Sequence, residues 1–287
     1  MILLLRQFDT RLNEPMKNHT SFKVGGNADA LVLPKNDGEL IDIIRICKKE
    51  RVPFVVIGNG SNLLVSDDGI RGVVIKTKNM DEIQIIEDGL RVSAGVTLPR
   101  LARFCAENSL AGLEFAAGIP ATVGGALYMN AGAYGGEMKD VVKNAEILRD
   151  GEIITAELEF SYRRSSLRGD IALRTNLRLE RGDKAEILAK MDANNKTRRE
   201  KQPQEPSAGS TFKRGEGYFA AKLIDDAELR GASVGGASVS PKHAGFIVNT
   251  GGATARDIYA LMRLVAETVR QKFGITLEPE IELLGNF

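Results

Sequence analysis

The chain has 287 residues, with 39 lysines and arginines against 38 aspartates and glutamates, and so carries a formal net charge of +1. This balance excludes the broad basic field of a sequence-independent nucleic-acid binder. Two cysteines are too few for a disulfide framework, and two histidines argue against a multi-histidine metal centre. The apolar run at the N-terminus is too short for a signal peptide, and no segment approaches the ~20 apolar residues of a membrane span. We therefore expect a cytoplasmic protein without a membrane or nucleic-acid partner.

The first third of the chain alternates helix and strand signals. Asn36 followed by Glu39 is typical of a helix N-terminus, and apolar residues at helical spacing follow them. Short apolar runs at 54–57, 63–65 and 73–75 then predict buried strands.

The middle of the chain has the signals of antiparallel pairing. Asp88-Gly89 and Asp150-Gly151 are favourable hairpin turns, Thr97 is a candidate helix N-cap, and residues 171–179 alternate as a half-buried strand does. The prediction for this region is α+β.

The last third begins with a helix from residue 184 that becomes polar and basic over 194–201. That basic run is either a patch that attracts a nucleotide or a solvated helix end, and the second interpretation is favoured. Further helices are predicted at about 218–230 and at 254–273, the latter with Thr254 and Asp257 as its capping pair, and the chain ends in a strand at 281–284.

The 30 glycines exceed the usual share of roughly 7% and concentrate in a few places. A predicted strand leads into a turn whose free N–H groups suit a pyrophosphate, although a tight loop with side-chain caps is the structural alternative. The turn lacks the third glycine of a dinucleotide fingerprint. Its residues are Gly58, Asn59, Gly60, Ser61, Asn62 and Leu63.

A second concentration of glycine covers residues 112–136. Such density fits a backbone laid against an extended ligand, to which Thr122, Asn130 and Tyr134 could bond, or else a crossover between sheets. Thr20 and Phe22, before an earlier glycine pair, offer a hydroxyl and an aromatic face.

Three further segments carry groups that could do chemistry. Ser210 stands near two cations without a histidine base at a suitable spacing, so it fits a proton donor better than a hydrolytic nucleophile. Arg163 after a tyrosine could bind a carboxylate or phosphate. Glu278, Glu280 and Glu282 would share one face of the last strand. The alternatives are a helix cap, surface charge and a solvent-facing strand.

Together these segments resemble one family. Their order is NHTSFKVGGNAD, VIGNGSNLLVSDDGIRGVVI, AGIPATVGGALYMNAGAYGGEM, SYRRSS, SAGSTFKR, KHAGFIVN and LEPEIELLG. From about residue 15 to the C-terminus the chain is similar to the UDP-N-acetylenolpyruvoylglucosamine reductases, flavoenzymes of peptidoglycan precursor synthesis. It resembles the type that lacks a tyrosine-bearing substrate lid.

The resemblance implies an α+β fold: an FAD-binding fold of the vanillyl-alcohol-oxidase type in two subdomains, plus a third α+β domain that binds substrate. The expected domains are 1–76 and 77–185 for FAD, with a C-terminal strand at 275–287 returning to the second, and 186–274 for the substrate. A monomer is expected, with NADPH and a UDP-sugar as its small-molecule partners.

The resemblance also implies residue roles. FAD would be held by the 58–63 turn together with Thr20, Phe22, Ile119, Thr122, Gly124 and Gly125. NADPH would reduce the flavin, whose N5 would then pass hydride to C3 of the enolpyruvyl group. Arg163 and Glu280 would stabilise the resulting enolate, with Arg164 as a possible second arginine, and Ser210 would protonate C2. Tyr134 and Lys213 would contact the substrate, and no metal is implied.

Two rival functions follow from the same residues. One is another FAD-linked oxidase or dehydrogenase of this fold, and the other is a nucleotide-binding protein without catalysis. Uptake of FAD separates the nucleotide-binding protein without catalysis from the reductase and from the other flavoenzymes, because bound FAD colours a protein yellow.

Overall fold

The computed structural model of the chain describes residues 2–287, so Met1, which begins the N-terminal apolar run, lies outside it. The described chain divides into two compact units. Unit 1 comprises the chain up to Arg11, Ala30–Asn59 and Val73–Arg198, whereas unit 2 comprises Leu12–Asp29, Gly60–Gly72 and Arg199–Phe287. The three-domain division that the family resemblance implies stays a prediction.

Helices and strands alternate along most of the described chain. The helices are α1 (Ile2–Leu5), α2 (Asp37–Lys49), α3 (Leu98–Glu107), α4 (Val123–Met129), α5 (Lys184–Lys201), α6 (Ala220–Asp226) and α7 (Ala255–Phe273). Within residues 2–287, none of them is both long and apolar enough to cross a membrane.

The strands of the first half are β1 (Thr10–Pro15), β2 (Asn27–Val32), β3 (Phe54–Ile57), β4 (Leu63–Val65), β5 (Ile70–Lys76), β6 (Ile83–Ile86), β7 (Gly89–Ser93), β8 (Leu110–Ala111), β9 (Gly132–Ala133) and β10 (Gly136–Glu137). Those of the second half are β11 (Val142–Arg149), β12 (Glu152–Ala156), β13 (Phe160–Ser161), β14 (Arg164–Ser165), β15 (Ile171–Leu177), β16 (Glu180–Arg181), β17 (Ser233–Val234), β18 (Ala237–Val239), β19 (Ile247–Asn249) and β20 (Glu282–Leu284).

Unit 1 contains two apolar cores. An antiparallel sheet in the order β12-β11-β15-β7-β6 supplies one face of the first core, into which α3 and α4 bury residues such as Leu101 and Leu127. The second core lies between α2 and the parallel pair β3–β5. Each fully buried leucine or isoleucine contributes roughly 1.5–3 kcal/mol, so these faces hold the segments that follow them in fixed positions.

Unit 2 is built around α7. Ile258, Leu261, Val265 and Val269 are fully buried on one face of this helix, against the small antiparallel sheet β17-β18-β19. The predicted capping box is present: Thr254 Oγ1 accepts from the Asp257 N–H, and the Asp257 carboxylate accepts from the Thr254 N–H at 2.9 Å. The capping box fixes the residue at which α7 begins, and this determines which of its residues face the core.

Most predicted elements are confirmed, including the hairpin turn at Asp150-Gly151 and the side-chain cap from Asn36 to the Glu39 N–H. The first hairpin turns one residue earlier than predicted, because Gly89 already pairs with Ile86. Thr97 precedes α3 as expected but makes no side-chain cap bond.

Two predictions were wrong. The helix predicted at 218–230 spans only Ala220–Asp226, since Glu228 and Gly231 adopt positive φ. The terminal strand does not pair within residues 77–185. Instead, β20 runs parallel to β4, with Glu282 opposite Leu63, so main-chain hydrogen bonds fix it beside the 58–63 turn.

Candidate active site

In unit 1, the first residues of the turn after β3 contact the loop that leads into α4. A Cβ on Gly58 would overlap Thr122 Oγ1, so only glycine permits this contact. The Asn59 side-chain amide donates to the Pro120 carbonyl at 2.8 Å. The structure therefore brings Gly58, Asn59 and Thr122, all predicted to bind FAD, into one cluster.

In unit 2, the second half of the same turn packs on the segment before the first glycine pair. A Cβ on Gly60, whose φ is +67°, would overlap the His19 carbonyl, and the Ser21 N–H donates to the Gly60 carbonyl at 3.2 Å. The Thr20 hydroxyl donates to the Val24 carbonyl at 2.9 Å and so shapes that loop. Thr20 and Gly60 are thus neighbours, as the resemblance implies.

Ser21 adds an observation that the sequence did not single out. Its Oγ is buried and has no hydrogen-bond partner among the described residues. An orphaned buried hydroxyl costs about 1–3 kcal/mol, and a ligand oxygen beside it removes that cost. The residue type alone could not reveal this, since serine is common in loops.

Phe22 has a different place from the one expected. Its side chain is fully buried among the core residues of unit 2, and its carbonyl accepts from the Asn249 side chain at 3.0 Å. The predicted aromatic face is therefore not presented to a ligand, because the ring fills the core.

The end of the turn is tied to the C-terminal segment. The Asn62 side-chain amide donates to the Glu280 carbonyl at 2.9 Å, and the Glu282 N–H donates to the Asn62 carbonyl at 3.0 Å. Leu63 begins β4 and Ser61 is half-buried in the turn. Hence one predicted cofactor residue, Asn62, positions a predicted catalytic residue, Glu280.

The loop before α4 is braced by main-chain pairing. Thr122 pairs with Thr97, and its hydroxyl is the N-cap acceptor for the Gly125 N–H. A Cβ on Gly124 would lie 3.0 Å from Ala94 Cβ, whereas one on Gly125 meets nothing closer than 3.7 Å. Gly124 thus serves helix packing and Gly125 leaves space. Ile119, at the start of the loop, is half-buried.

Several glycines of the stretch 112–136 serve internal packing. A Cβ on Gly118 would lie 2.7 Å from Asn195 Oδ1, one on Gly132 would lie 2.6 Å from Glu137 Cβ, and one on Gly136 would lie 2.6 Å from the Phe115 ring. The prediction that these glycines lie directly against a ligand is therefore not needed to explain them.

Asn130 likewise holds loops together. It is fully buried with φ of +43°, its amide donates to Glu137 and to the Ser161 carbonyl at 3.1 Å, and its Oδ1 accepts from the Lys139 N–H. The sequence suggested that Asn130 could bond to a ligand. Because these bonds use both ends of its amide group, Asn130 instead positions the neighbouring segments.

The hairpin that Asn130 anchors carries Arg163. This residue lies in the two-residue turn between β13 and β14 with φ of +54°, and its guanidinium lies 5.2 Å from the centroid of the Tyr162 ring. Arg163 is half-buried, whereas Arg164 is exposed. The turn therefore favours Arg163 for a partly enclosed anion.

In unit 2, Ser210 stands at the start of a short extended segment. The next residue, Thr211, is buried and donates its N–H to the Gly245 carbonyl at 2.8 Å, while its hydroxyl accepts from the Ile247 N–H at 3.1 Å. The Glu280 N–H donates to the Thr211 carbonyl at 2.9 Å. The structure thus places Ser210 one residue from a hydrogen bond that holds Glu280.

The same segment orients Lys213. Its N–H donates to the Glu278 carbonyl at 2.9 Å, its ammonium pairs with the Glu278 carboxylate, and Phe212 pairs with Pro279 between them. The strand β20 begins only at Glu282, so Glu278 and Glu280 lie outside the strand whose face the sequence predicted them to share with Glu282. Glu278 is paired with Lys213, and the resemblance assigns the catalytic role to Glu280.

Buried thiols offer no alternative nucleophile. Burial raises the pKa of Cys47, and burial together with Glu114 raises the pKa of Cys105 to about 12. Thiols protonated at neutral pH are poor nucleophiles. The described residues also contain no group of three or more histidine, cysteine, aspartate or glutamate side chains arranged to hold a metal.

The class of protein follows from the fold. The model of the FAD binding domain family matches residues 28–157. A solved variant of Phl p 4, described as a glucose oxidase, matches with a TM-score of 0.50 at 14% identity over 63% of this chain and 44% of its own, which concerns the fold alone. The chain has an α+β, FAD-binding fold of the vanillyl-alcohol-oxidase type.

The particular family follows from closer likeness. The model described as UDP-N-acetylenolpyruvoylglucosamine reductase, C-terminal domain, matches residues 202–284. The reductase of that name from Caldanaerobacter subterraneus subsp. tengcongensis is 49% identical over 98% of this chain and 96% of its own length. The one from Clostridium kluyveri is 48% identical over 96% and 93%.

A solved reductase of the same name from Thermus caldophilus has a TM-score of 0.82 and 38% identity, and covers 97% of this chain and 99% of its own. This chain belongs to the UDP-N-acetylenolpyruvoylglucosamine reductase family.

The residues of the turn fit a bound FAD. The space left by Gly58 and Gly60 is taken by Thr122 and His19, so the observation that fits a bound ligand is the buried Ser21 hydroxyl beside Gly60, which lacks a partner among the described residues. Dinucleotide phosphates are commonly bound by backbone N–H groups and small hydroxyls. Within unit 1, Gly58, Asn59 and Thr122 are the residues that would contact the cofactor, and within unit 2 they are Thr20 and the rest of the turn.

Proposed function

We propose that this chain uses NADPH to reduce the enolpyruvyl group of UDP-N-acetylglucosamine enolpyruvate to UDP-N-acetylmuramate, a step of peptidoglycan precursor synthesis. Full-length membership in a reductase family supports the substrate and the cofactor. The observation that carries the chemistry is the segment in which Ser210 adjoins the Thr211–Glu280 hydrogen bond. When bound, FAD would supply the redox chemistry, namely the transfer of hydride from NADPH to C3 of the enolpyruvyl group.

In this proposal Ser210 donates the proton that C2 requires. A serine hydroxyl is a weak acid, so it protonates only a strongly basic centre such as an enolate carbon. A positioned general acid contributes typically ~10²–10⁴ in rate. The buried Thr211 bonds on both sides hold the serine main chain in place, which is what such positioning requires.

Arg163 and Glu280 act on the substrate carboxylate. The half-buried Arg163 guanidinium offers a two-pronged donor for it. A carboxylate at Glu280 would repel a second carboxylate, so we infer that Glu280 is protonated or shares a proton when substrate is bound. Lys213, released from Glu278, would contact a substrate phosphate or carboxylate.

FAD uptake followed by two separate half-reactions tests the proposal. The purified protein is expected to be yellow and, with oxygen excluded, to be bleached by NADPH and to regain its colour only when the enolpyruvyl sugar nucleotide is added. Protein that takes up no FAD overturns the flavoenzyme assignment, whereas bleached protein that ignores this substrate points to another oxidase or dehydrogenase of the fold.

Glu280→Gln separates the roles within the site. Bleaching by NADPH should proceed at the wild-type rate, while reoxidation by substrate should slow, because the amide cannot supply the proton that a carboxyl group can share. Glu278→Gln is the matched control from the same segment. An undiminished reoxidation rate in Glu280→Gln removes this residue from the mechanism.

We also propose that the enzyme works as a cytoplasmic monomer that needs neither membrane nor nucleic acid. The net charge of +1 supports this, since it provides no field for anionic surfaces. Light scattering of the FAD-loaded protein at several concentrations checks it, and a concentration-dependent mass near twice 31.1 kDa would contradict it.

A further inference from the structure

Arg198 lies near the C-terminal end of α5, inside the basic run that sequence reasoning favoured as a solvated helix end. At Arg198 the structure differs from that prediction of a solvated residue. Arg198 is half-buried, whereas its neighbour Arg199 is exposed. A Cβ on Gly118 would lie 3.0 Å from Arg198 Cδ, so the arginine stem packs across the loop that contains this glycine.

The guanidinium has no counter-charge. Within residues 2–287, no hydrogen-bond acceptor or carboxylate pairs with Arg198. Arg149 shows the usual arrangement for comparison, because its guanidinium makes bonds of 3.0 and 2.7 Å to the Asp170 carboxylate. Accordingly the pKa of Arg149 is raised by Asp170, whereas burial lowers the pKa of Arg198.

A half-buried cation without a partner has lost part of its hydration, which costs the folded protein free energy. Natural proteins tend to violate such local rules at functional sites. An anion that enters with a ligand would repay the cost, and the planar guanidinium is suited to hold a carboxylate or phosphate through two parallel bonds.

The surroundings of Arg198 indicate which ligand this is. Gly118 directly precedes Ile119, the first residue of the loop proposed to line the cofactor. Arg198 also lies close enough to the Tyr134 phenol to interact with it electrostatically, and Tyr134 is a proposed substrate contact with a partly exposed side chain. The cation thus lies next to the loop proposed to line the cofactor and near Tyr134, which is proposed to contact the substrate.

We propose that Arg198 binds an oxyanion of the sugar-nucleotide substrate, with the Tyr134 phenol beside it. The inference rests on the proposed function and adds a substrate residue to it. The oxyanion is either the enolpyruvyl carboxylate or the diphosphate, since both offer the same paired oxygens to a guanidinium.

Ligand binding to the oxidised, FAD-loaded enzyme tests this through changes in flavin absorbance. Arg198→Gln should weaken binding of the enolpyruvyl substrate by roughly 10–100-fold, the usual worth of a charged hydrogen-bonded contact. UDP-N-acetylglucosamine, which lacks the carboxylate, distinguishes the two sources. A similar loss for both ligands assigns the diphosphate, and a loss for the enolpyruvyl ligand alone assigns the carboxylate. Arg198→Lys should lose less, and the exposed-neighbour control Arg199→Gln should bind as wild type.

The thermal stability of Arg198→Gln distinguishes a residue that contacts the ligand from one that only supports the fold. Removing an unpaired half-buried charge should leave the melting temperature and FAD affinity of the substrate-free enzyme unchanged or higher, while the rise in melting temperature caused by substrate shrinks. Unchanged substrate affinity in Arg198→Gln overturns the inference, as does an equal loss of FAD affinity. If the wild-type enzyme itself fails to bind the enolpyruvyl ligand, the proposed function falls as well, which is a distinguishable result.

Discussion

The glycine-dense stretch of unit 1, residues 112–136, and the serine segment of unit 2, residues 207–213, contrast in how sequence and structure agree. The stretch gives the stronger sequence signal, yet its glycines mostly face protein: Gly124 meets Ala94 and Gly136 meets the Phe115 ring. The serine segment gives a weak signal, yet it holds Ser210 next to the hydrogen bond that positions Glu280.

The difference shows that a glycine-rich stretch indicates that another group lies close to its backbone, and that this group can be protein as well as ligand. A catalytic site is indicated by a rarer feature, namely a polar side chain whose main chain is fixed on both sides. The following changes test whether glycines here serve packing and whether the serine segment serves positioning.

Gly60→Ala should have the largest effect. The new Cβ would overlap the His19 carbonyl, and the φ of +67° is unfavourable for alanine. Together these should cost roughly 2–5 kcal/mol of unfolding free energy, measured by urea unfolding without added FAD. Wild-type stability combined with weak FAD binding would show instead that Gly60 is kept for the ligand.

Thr211→Val should cost about 1–3 kcal/mol, because it leaves the buried Ile247 N–H without its acceptor. The same change should slow reoxidation by substrate, since it loosens the main chain next to Ser210. Thr211→Ser retains the hydroxyl and is the control. Slower reoxidation in Thr211→Ser but not in Thr211→Val would mean that the methyl group, and not the hydrogen bond, fixes the segment.

Gly124→Ala and Gly125→Ala form a matched pair within α4. A Cβ at position 124 crowds Ala94, so that variant should be less stable, whereas alanine at 125 has room and should gain up to ~1 kcal/mol from helix propensity. If the backbone at Gly125 also lies against FAD, its alanine variant will bind FAD more weakly despite the gain. Equal stability of the two variants would contradict the packing explanation.

The smallest effect concerns pH. Burial lowers the pKa of His243, whose Nδ1 accepts from the Gly245 N–H at 3.1 Å. The folded protein therefore binds fewer protons than the unfolded chain, so this contribution is complete above the ordinary pKa of about 6.5. It is lost as the pH falls through the lowered value. His243→Gln should flatten the decline in melting temperature over that range, and an unchanged slope would exclude His243 as its source.

Local structure was predictable where it depends on neighbouring residues. The capping pair Thr254 and Asp257 and the Asp150-Gly151 turn were read from short-range chemistry and are present. The pairing of β20 with β4 was not, because residues about 220 positions apart meet only in the folded chain. For the same reason the sequence could not foresee that Phe22 fills a core.

The candidate site likewise has features that the sequence predicted and features that it could not. Motif order pointed to Ser210, Arg163 and Glu280 as the reacting groups. It could not show that the Asn130 amide bonds to neighbouring loops, that Ser21 Oγ lacks a partner among the described residues, or that Arg198 is half-buried. Each of these depends on which polar groups find partners after folding, and residue type alone does not encode that.

Stopped-flow measurement of the two half-reactions in Ser210→Ala tests the central claim most directly, with Ser207→Ala as the control from the same segment. Bleaching by NADPH should match the wild type, because hydride transfer to FAD needs no acid at Ser210. Reoxidation by the enolpyruvyl substrate should slow by about 10²–10⁴-fold. Reoxidation at the wild-type rate, or failure of bleaching in folded, FAD-loaded protein, would contradict the role of Ser210 as the proton donor.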